Sequence, residues 1–204
     1  MDTAQLHDPE EDLRVAIDAH LRNMNVALPV RVMKDSDGKT ASLQVTVKAK
    51  QTMPDGTVKE VDYPTLDGLV HFPSAGGFSH TFPVKEGDEG MVILASRSIH
   101  NWRETGGTQP QVDSRQHDLS DAMFIPGIRA KPRDLKGLSA DSAQTRTDDK
   151  KSVHDVSHTA VTSVREDAAH QINGMAVQTQ KGGTRQVVDG ATIQNVAGKF
   201  LVNC

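Results

Sequence analysis

The chain has 204 residues and a formal net charge of −4 at neutral pH. This balance gives no basic stripe and disfavours a nucleic-acid partner, and no apolar run approaches the ~18–20 residues that a membrane span needs. The N-terminus is acidic, unlike a secretion signal, so we expect a chain that is made in soluble form in the cytoplasm.

Large apolar side chains are unevenly distributed along the sequence. Only 36% of the residues are hydrophobic, so a conventional core must be concentrated in one region. Aromatic side chains dominate protein cores because they bury the largest areas. Apart from Phe200, the aromatic residues are Tyr63, Phe72, Phe78, Phe82, Trp102 and Phe124. We therefore expect the globular core in the middle of the chain.

The first predicted element is a helix within residues 1–27. The segment Asp8–Glu11 is a start signal, since it supplies a carboxylate cap, a proline at the first helical position and acids near the helix N-terminus. One apolar stripe follows at helical spacing, formed by Leu13, Ile17, Leu21 and Met24. The stripe packs either on its own domain or on a neighbouring subunit, and the sequence leaves both open.

From residue 28 to residue 128 the apolar pattern changes to the period of two that is typical of strands. Asp-Gly turn signals at Asp37-Gly38 and Asp55-Gly56 separate the first strands. About five or six short strands without intervening helices predict a mainly β domain, for which an OB-fold barrel is the preferred architecture. The predicted strands are Val30–Val32, Leu43–Ala49, Val58–Tyr63, Leu69–Phe72, Phe78–Val84 and Met91–Ser96.

Residues 129–152 carry many charges and almost no large apolar side chain, which predicts a linker or a disordered segment. Residues 153–204 are rich in Val, Thr, Ala and Gln, with glycines about eight residues apart that separate short β-prone pieces. Those pieces are Met175–Gln180, Thr184–Val188 and Ala191–Val196. One copy has too little apolar surface to offset its ordering entropy, so we expect an intertwined trimeric β-helix.

Two alternatives to the β-helix remain open at this point. A mixed helical stalk is favoured by helical spacing of the apolar residues between Val153 and Met175, and opposed by Val161, Thr162 and Gly174. Disorder is opposed by the near-zero net charge of the segment and its many valines.

Two motifs in the middle of the chain are specific. The first runs from Phe82 to Leu94 and continues into Arg97-Ser98-Ile99 and Trp102. Gly87 and Gly90 are expected to supply the backbone freedom of a hairpin tip. The second motif is Arg115–Gly127, with the sequence Arg-Gln-His-Asp-Leu-Ser-Asp-Ala-Met-Phe-Ile-Pro-Gly. The side chains expected to face the barrel core are Val84, Met91, Ile93 and the two phenylalanines, Phe82 and Phe124.

Together these motifs resemble the N-terminal OB domain of the central spike, or baseplate assembly protein, of Mu-like and related contractile phages. The resemblance covers roughly residues 25–130. It implies a homotrimer that attaches under the tail hub protein of the baseplate, and whose C-terminal segments form a needle. The needle pierces the host outer membrane when the sheath contracts, which permits genome ejection. The protein would then be located in the virion, in the phage tail baseplate.

One feature departs from this family. Its spikes often end in a His-x-His pair that binds iron at the tip, whereas this chain ends Gly198–Cys204 and contains no His-x-His. The resemblance therefore implies no tip metal here. A separate spike-tip protein, or an apolar plug built from Phe200, Leu201 and Val202, takes its place.

Several histidines are candidate metal-binding or catalytic residues. His154 and His158 lie four residues apart, and a ring of them in a trimer would bind a metal or an anion, with His170 as a further candidate. Solvated or hydrogen-bonded histidines are the preferred interpretation. The pair His117-Asp118 is interpreted as structural, because no serine or cysteine stands in a nucleophile context.

We accordingly assign no catalytic residue, no cofactor and no metal, and expect a structural protein rather than an enzyme. The first alternative is an OB-fold module that binds a carbohydrate or a nucleic acid. Few aromatic platforms and the acidic charge balance weigh against it. The second alternative, a small cell-wall hydrolase, lacks a recognisable catalytic constellation.

Overall fold

A computed structural model describes residues 8–22, 24–166, 168–173, 177–181, 184–189, 191–196 and 199–202. The chain divides into two compact units, Met1–Pro132 and Arg133–Cys204. We call them the barrel unit and the sheet unit. In the part of the chain that is described, no helix has the length and apolarity to span a bilayer.

The barrel unit begins with a helix and continues mainly through short strands. Helix α1 covers Pro9–Arg22, and a second helix, α2 (His100–Thr105), lies between the last two strands. The strands are β1 (Ala27–Val32), β2 (Thr40–Val45), β3 (Ala49–Thr52), β4 (Val58–Val61), β5 (Leu66–Val70), β6 (Ser74–Ala75), β7 (Phe78–Ser79), β8 (Glu89–Leu94) and β9 (Ala122–Pro126).

Five of these strands close into a barrel in the order β1-β2-β5-β9-β8. Neighbouring strands are antiparallel except β5 and β9, which are parallel. The expectation of a mainly β domain with a short N-terminal helix and a small barrel is therefore confirmed. The buried apolar residues of the core are Val30, Val32, Ala41, Leu43, Val45, Leu66, Val84, Val92, Leu94, Ala122 and Phe124.

The residues of β8 that were predicted to face the core are the wrong ones. Val92 and Leu94 are buried, whereas Met91 is only half-buried and Ile93 is 38% exposed. The run from Met91 to Leu94 is apolar throughout, so it carries no alternation from which the inward face can be deduced. Among the other side chains expected in the core, Val84 and Phe124 are buried but Phe82 is 39% exposed.

Gly90 explains which residues of β8 face inward. It lies inside β8 rather than at a hairpin tip, and a Cβ atom there would collide with the ring of Phe124 and the carbonyl oxygen of Ile125. The inward position at Gly90 is thus occupied by the Phe124 ring, which is fully buried. Only Gly87 has the turn role expected of both glycines, with φ at +87°.

Some predicted elements of the barrel unit differ from the structure. The strand expected over Phe78–Val84 is reduced to β7. The strand expected over Val58–Tyr63 is β4, which ends at Val61 and pairs with β3 outside the barrel. Helix α2 was not expected. Its sequence contains Trp102 and Arg103 but buries no residue, so it lacks the apolar stripe by which a longer helix is recognised.

The apolar stripe of α1 does not pack on its own domain. Leu13 is 62% exposed, Ile17 50% and Leu21 53%, and none of the residues of α1 is buried. A helix of 14 residues is marginally stable in water without tertiary contacts. Of the two interpretations that the sequence left open, packing on the chain's own domain is therefore not what the structure contains.

The sheet unit is an antiparallel meander in which each strand pairs with the next along the chain. Three strands lie in the predicted helical segment, so a helical stalk is wrong there. The β-branched residues Val161, Thr162 and Val164 favour a strand. β10 lies inside residues 129–152, the predicted linker. The strands are β10 (Ser142–Arg146), β11 (Ser152–Ser157), β12 (Ala160–Arg165), β13 (Ala168–Asn173), β14 (Val177–Lys181), β15 (Thr184–Asp189), β16 (Ala191–Val196) and β17 (Lys199–Val202).

Candidate functional site

The second motif forms a clasp around a buried carboxylate at one end of the barrel. Asp121 is 2% exposed. Arg115 donates to it twice, from Nε to Oδ2 at 2.7 Å and from Nη2 to Oδ1 at 3.1 Å. The backbone N–H of Ile99 donates to Oδ1 at 3.1 Å. The clasp therefore ties the segment before β9 to the segment after β8.

The ionisation of the clasp is set by these contacts. The hydrogen bonds from Arg115 hold the pKa of Asp121 below its ordinary value, although burial acts in the opposite direction. The same bonds raise the pKa of Arg115 above its ordinary value. The pair is thus ionised at neutral pH, with its charges directed at each other.

Asp118 and His117 do not form a catalytic pair in this structure. Asp118 caps the single turn Leu119–Asp121, accepting from the backbone N–H of Ser120 at 2.9 Å and from its hydroxyl at 2.5 Å. These bonds lower the pKa of Asp118. The backbone N–H of His117 donates to the carbonyl of Ala95 at 3.2 Å, and its Nδ1 is buried without a partner. Asp118 therefore orders the loop and does not orient the imidazole through Nδ1.

A cavity of about 250 Å³ lies beside the clasp. Its lining includes Arg115 and Asp121 together with His100 and Arg103. Because Arg115 and Asp121 are bonded to each other, the most buried charges of the cavity are already compensated. The arrangement stabilises the loop and offers neither an activated nucleophile nor an obvious ligand clamp.

In the first motif, local hydrogen bonds hold the loop that precedes β8. Asp88 accepts from the backbone N–H of Lys85 at 2.8 Å, and the N–H of Gly87 donates to the carbonyl of Val32 at 2.9 Å. The Lys85 ammonium lies 2.7 Å from the carboxylate of Asp35. Both motifs that the sequence singles out are therefore devices that hold the barrel loops in place.

Two histidines of the sheet unit lie next to hydroxyl groups. His154 Nδ1 lies 2.8 Å from the hydroxyl of Ser163, and His170 Nδ1 lies 3.0 Å from that of Thr179. His158 lies outside β11 and β12 and is exposed. Within a single copy, the described residues contain no group of three His, Cys, Asp or Glu side chains that would hold a metal ion.

Several large apolar side chains are exposed on the surface of the chain. Besides the stripe of α1, Phe78 at the β6–β7 hairpin is 82% exposed and Trp102 on α2 is 50% exposed. In the sheet unit Val156 is 43% exposed and Ile172 45%. Exposed apolar groups of this kind mark surfaces that contact another molecule when they form continuous patches.

Comparison with known protein families finds a match for the barrel unit. Residues 28–127, which contain all of the barrel strands except Ala27, match the family described as the phage protein Gp138 N-terminal domain. No curated protein matches the chain. The match supports a phage structural protein family, and with it a virion-associated component. It agrees with the phage resemblance drawn from the two motifs and leaves the position of the protein in the virion open.

Proposed function

We propose that this chain is the central spike of a contractile phage tail baseplate, built as a homotrimer. In this proposal the barrel units attach under the tail hub protein. The sheet units of three copies together form the needle that pierces the host outer membrane on sheath contraction. The proposal starts from the phage family that matches residues 28–127.

The observation that carries the proposal is the contrast between the matched barrel and the segment that follows it. Among the residues whose burial is described, all members of the buried apolar core belong to the barrel unit. None of the described side chains in the sheet unit is buried. A single layer of strands without a buried face does not offset its ordering entropy, so the segment requires further chains around it.

Helix α1 supports attachment to a neighbouring chain or to the hub. Its exposed stripe is continuous along the helix, and the first turn carries Glu10, Glu11 and Asp12. An amphipathic helix of this kind is stabilised when its apolar face lies against another surface. In the proposed assembly that surface belongs to a neighbouring subunit or to the hub protein.

Light scattering of the purified chain tests the oligomeric state. The expected mass is that of three chains of 22.1 kDa each. A monomer whose sheet unit is nevertheless folded, as judged by circular dichroism, would contradict the proposal. Gold-labelled antibodies against the purified chain, applied to phage particles that carry it, should bind at the distal end of the tail. Labelling along the tail shaft or on the capsid would exclude a spike.

The alternative of an OB-fold binding module is separated from the spike by a direct assay. Fluorescence anisotropy with single-stranded DNA and with oligosaccharides should give no saturable binding by the chain. Saturable binding that is lost on substitution of Trp102 would favour the module, since aromatic side chains are the stacking platforms of such sites.

A further inference from the structure

Three neighbouring strands of the barrel are apolar on both faces. The register pairs two residues of β8 each with one residue of β1 and one of β9. These residues alternate with the buried core residues Val92 and Leu94, so they point outward. We call the six residues the outer apolar face. One row consists of Ala27, Ile93 and Met123, and the other of Pro29, Met91 and Ile125.

The outer apolar face is only partly covered within one chain. Ile93 is 38% exposed, Ala27 is exposed, and the other four residues are half-buried. The outward positions of β2 are polar instead, namely Thr40, Ser42 and Gln44. Strands with one face in water alternate in this way, whereas strands that are buried on both faces read as continuous apolar runs. The sequence of β8 is therefore that of a strand whose outer face is also covered.

Charged groups border the outer apolar face without interrupting it. Arg31 and Glu89 are paired with each other beyond one row. The clasp lies beyond the other row, where the N–H of Ala95 donates to the carbonyl of Asp121 at 3.0 Å. On β5, the next strand past β9, Asp67 is exposed. An occupant of this face must therefore offer an apolar surface that fits between these charges.

Helix α1 carries such a surface in its exposed apolar stripe. The helix has 14 residues and is therefore about 21 Å long, enough to cross three strands that lie about 4.8 Å apart. Glu10 and Arg14 border the stripe near its start, and His20 lies within its span. The charged residues on the opposite side of the helix are Glu11, Asp18 and Arg22.

We propose that α1 of one copy lies with its apolar stripe on the outer apolar face of a neighbouring copy. The inference rests on the proposed homotrimer and names one contact within it. Each copy offers one unpartnered helix and one partly covered face, so the same contact repeated around a threefold axis closes a ring and leaves neither surface unpaired.

The position of α1 in the single chain favours this exchange between copies. None of its residues is buried. Its last turn lies beside the clasp, where His20 and Met24 line a cavity of about 370 Å³ together with Ser114 and His117. The helix thus leaves its own barrel at one end of the outer apolar face instead of lying across it.

The contact is expected to be weak by itself, because few apolar side chains of α1 take part. In the proposed homotrimer the sheet units hold three copies together and raise the effective concentration of each helix near its neighbour. A chain without the sheet unit is therefore expected to be monomeric although it keeps both surfaces. The tests below accordingly use the full chain.

Labelling at position 93 measures whether the face is covered. The single cysteine is removed by Cys204→Ser, Ile93→Cys is introduced, and the reaction with a maleimide is timed. Ile17→Gln, in the stripe, should raise the rate about tenfold, since it removes one apolar contact of the helix. Val15→Gln is the matched control and should leave the rate unchanged, because Val15 is 59% exposed and lies about 200° around the helix from Ile17. Equal rates in the two backgrounds would overturn the proposal.

Cross-linking identifies the copy that supplies the helix. The full chain with Ile17→Cys and Ile93→Cys, again with Cys204→Ser, is treated with a short bifunctional maleimide and separated on a denaturing gel. We expect covalent dimers and trimers, with little product from either single variant or from Val15→Cys combined with Ile93→Cys. A link confined to one chain would show that α1 folds back on its own barrel. That result, or the absence of any link, would contradict the proposal.

Light scattering of the same samples separates this contact from the homotrimer. A wild-type chain that is monomeric would overturn the homotrimer, and the contact with it. A trimeric chain in which Ile17→Gln does not change labelling at position 93 would overturn the contact alone. The outer apolar face would then be open in the purified trimer, as expected for a surface that a different protein covers.

Discussion

The two units of this chain are built from similar short strands but reach stability differently. The barrel unit closes five strands on themselves and buries Leu43, Val92 and Phe124 completely. The sheet unit pairs eight described strands in one layer, and none of its described side chains is buried. Closure gives the barrel both an interior and strands without free edges. A single-layer meander that does not close gains neither within one chain.

This difference assigns different roles to the same residue types. In the barrel, valines fill an interior that the chain makes for itself. In the sheet unit the described valines lie on faces of a sheet that one chain leaves unburied. Sequence composition alone distinguishes the units, since the aromatic residues are concentrated before residue 125.

Removal of the sheet unit should have the largest effect on assembly. A chain that ends at Pro132, the boundary between the units, keeps the complete core and should remain folded, because core residues from Val30 to Phe124 all precede the cut. Its mass by light scattering should fall from that of the trimer to that of a monomer. A truncated chain that is still fully trimeric would place the main interface in the barrel unit. In the full chain, unfolding of the sheet unit should depend on protein concentration, and that of the truncated chain should not.

A substitution at the centre of the barrel should destabilise that unit strongly. Phe124 is fully buried, and Phe124→Ala should lower the free energy of unfolding by about 4 kcal/mol, since it removes apolar contacts and leaves a cavity. Phe78→Ala is the control, because Phe78 is 82% exposed and its loss should change stability by about 0.5 kcal/mol or less. Urea denaturation of the Pro132-terminated chain measures both. Similar losses for the two variants would show that the core is not where the structure has it.

The sequence predicts a small, mainly β barrel, but not which residues of every strand face its core. Turn signals and alternation identify strands around Leu43 and Leu69, and the two motifs indicate the phage resemblance. The inward face of β8 was not predictable, because the apolar run Met91–Leu94 has no alternation and the inward position at Gly90 carries no side chain. What makes Gly90 necessary is the ring of Phe124, more than thirty residues away.

The clasp and the register of the sheet unit could not be predicted from the sequence, because both depend on residues that are distant along the chain. Arg115 and Asp121 stand in a recognised motif, but only the fold places Ile99 beside them. In the sheet unit, the β-prone pieces were identified from glycine spacing, and β15 and β16 lie where they were expected. Which residues of neighbouring strands share a face of the sheet depends on register across the turns, which single-strand patterns do not fix.

Breaking the clasp should have an intermediate effect on the barrel unit. Arg115→Ala leaves the carboxylate of Asp121 buried without its ionic partner, so the free energy of unfolding should fall by about 2–3 kcal/mol at pH 7. Arg103→Ala, on the exposed surface of α2, is the matched loss of an arginine and should change stability by less than about 0.5 kcal/mol. Addition of Asp121→Asn to Arg115→Ala should restore part of the loss in the same urea titration. If the double variant is less stable than Arg115→Ala alone, the unpaired charge is not the cause.

The smallest expected effect concerns the cap of the turn Leu119–Asp121. Asp118 accepts two bonds from Ser120, and Asp118→Ala should cost about 1 kcal/mol at pH 7. Asp118→Asn keeps an acceptor and should cost much less.

The two substitutions at position 118 also differ in their pH dependence. Because these bonds lower the pKa of Asp118 in the folded state, the ionised carboxylate contributes stability above the unfolded pKa of about 3.9, and this contribution is lost as the pH falls through the lower folded value. The gap between wild type and Asp118→Ala should therefore be constant from pH 7 to pH 5 and narrow below about pH 4. The gap between Asp118→Asn and Asp118→Ala should not narrow, since neither side chain titrates. Thermal melts of the Pro132-terminated chains across this pH range measure both gaps. A wild-type gap that stays constant down to pH 3 would show that the cap is a hydrogen bond independent of charge, and a gap that widens in acid would contradict the lowered pKa outright.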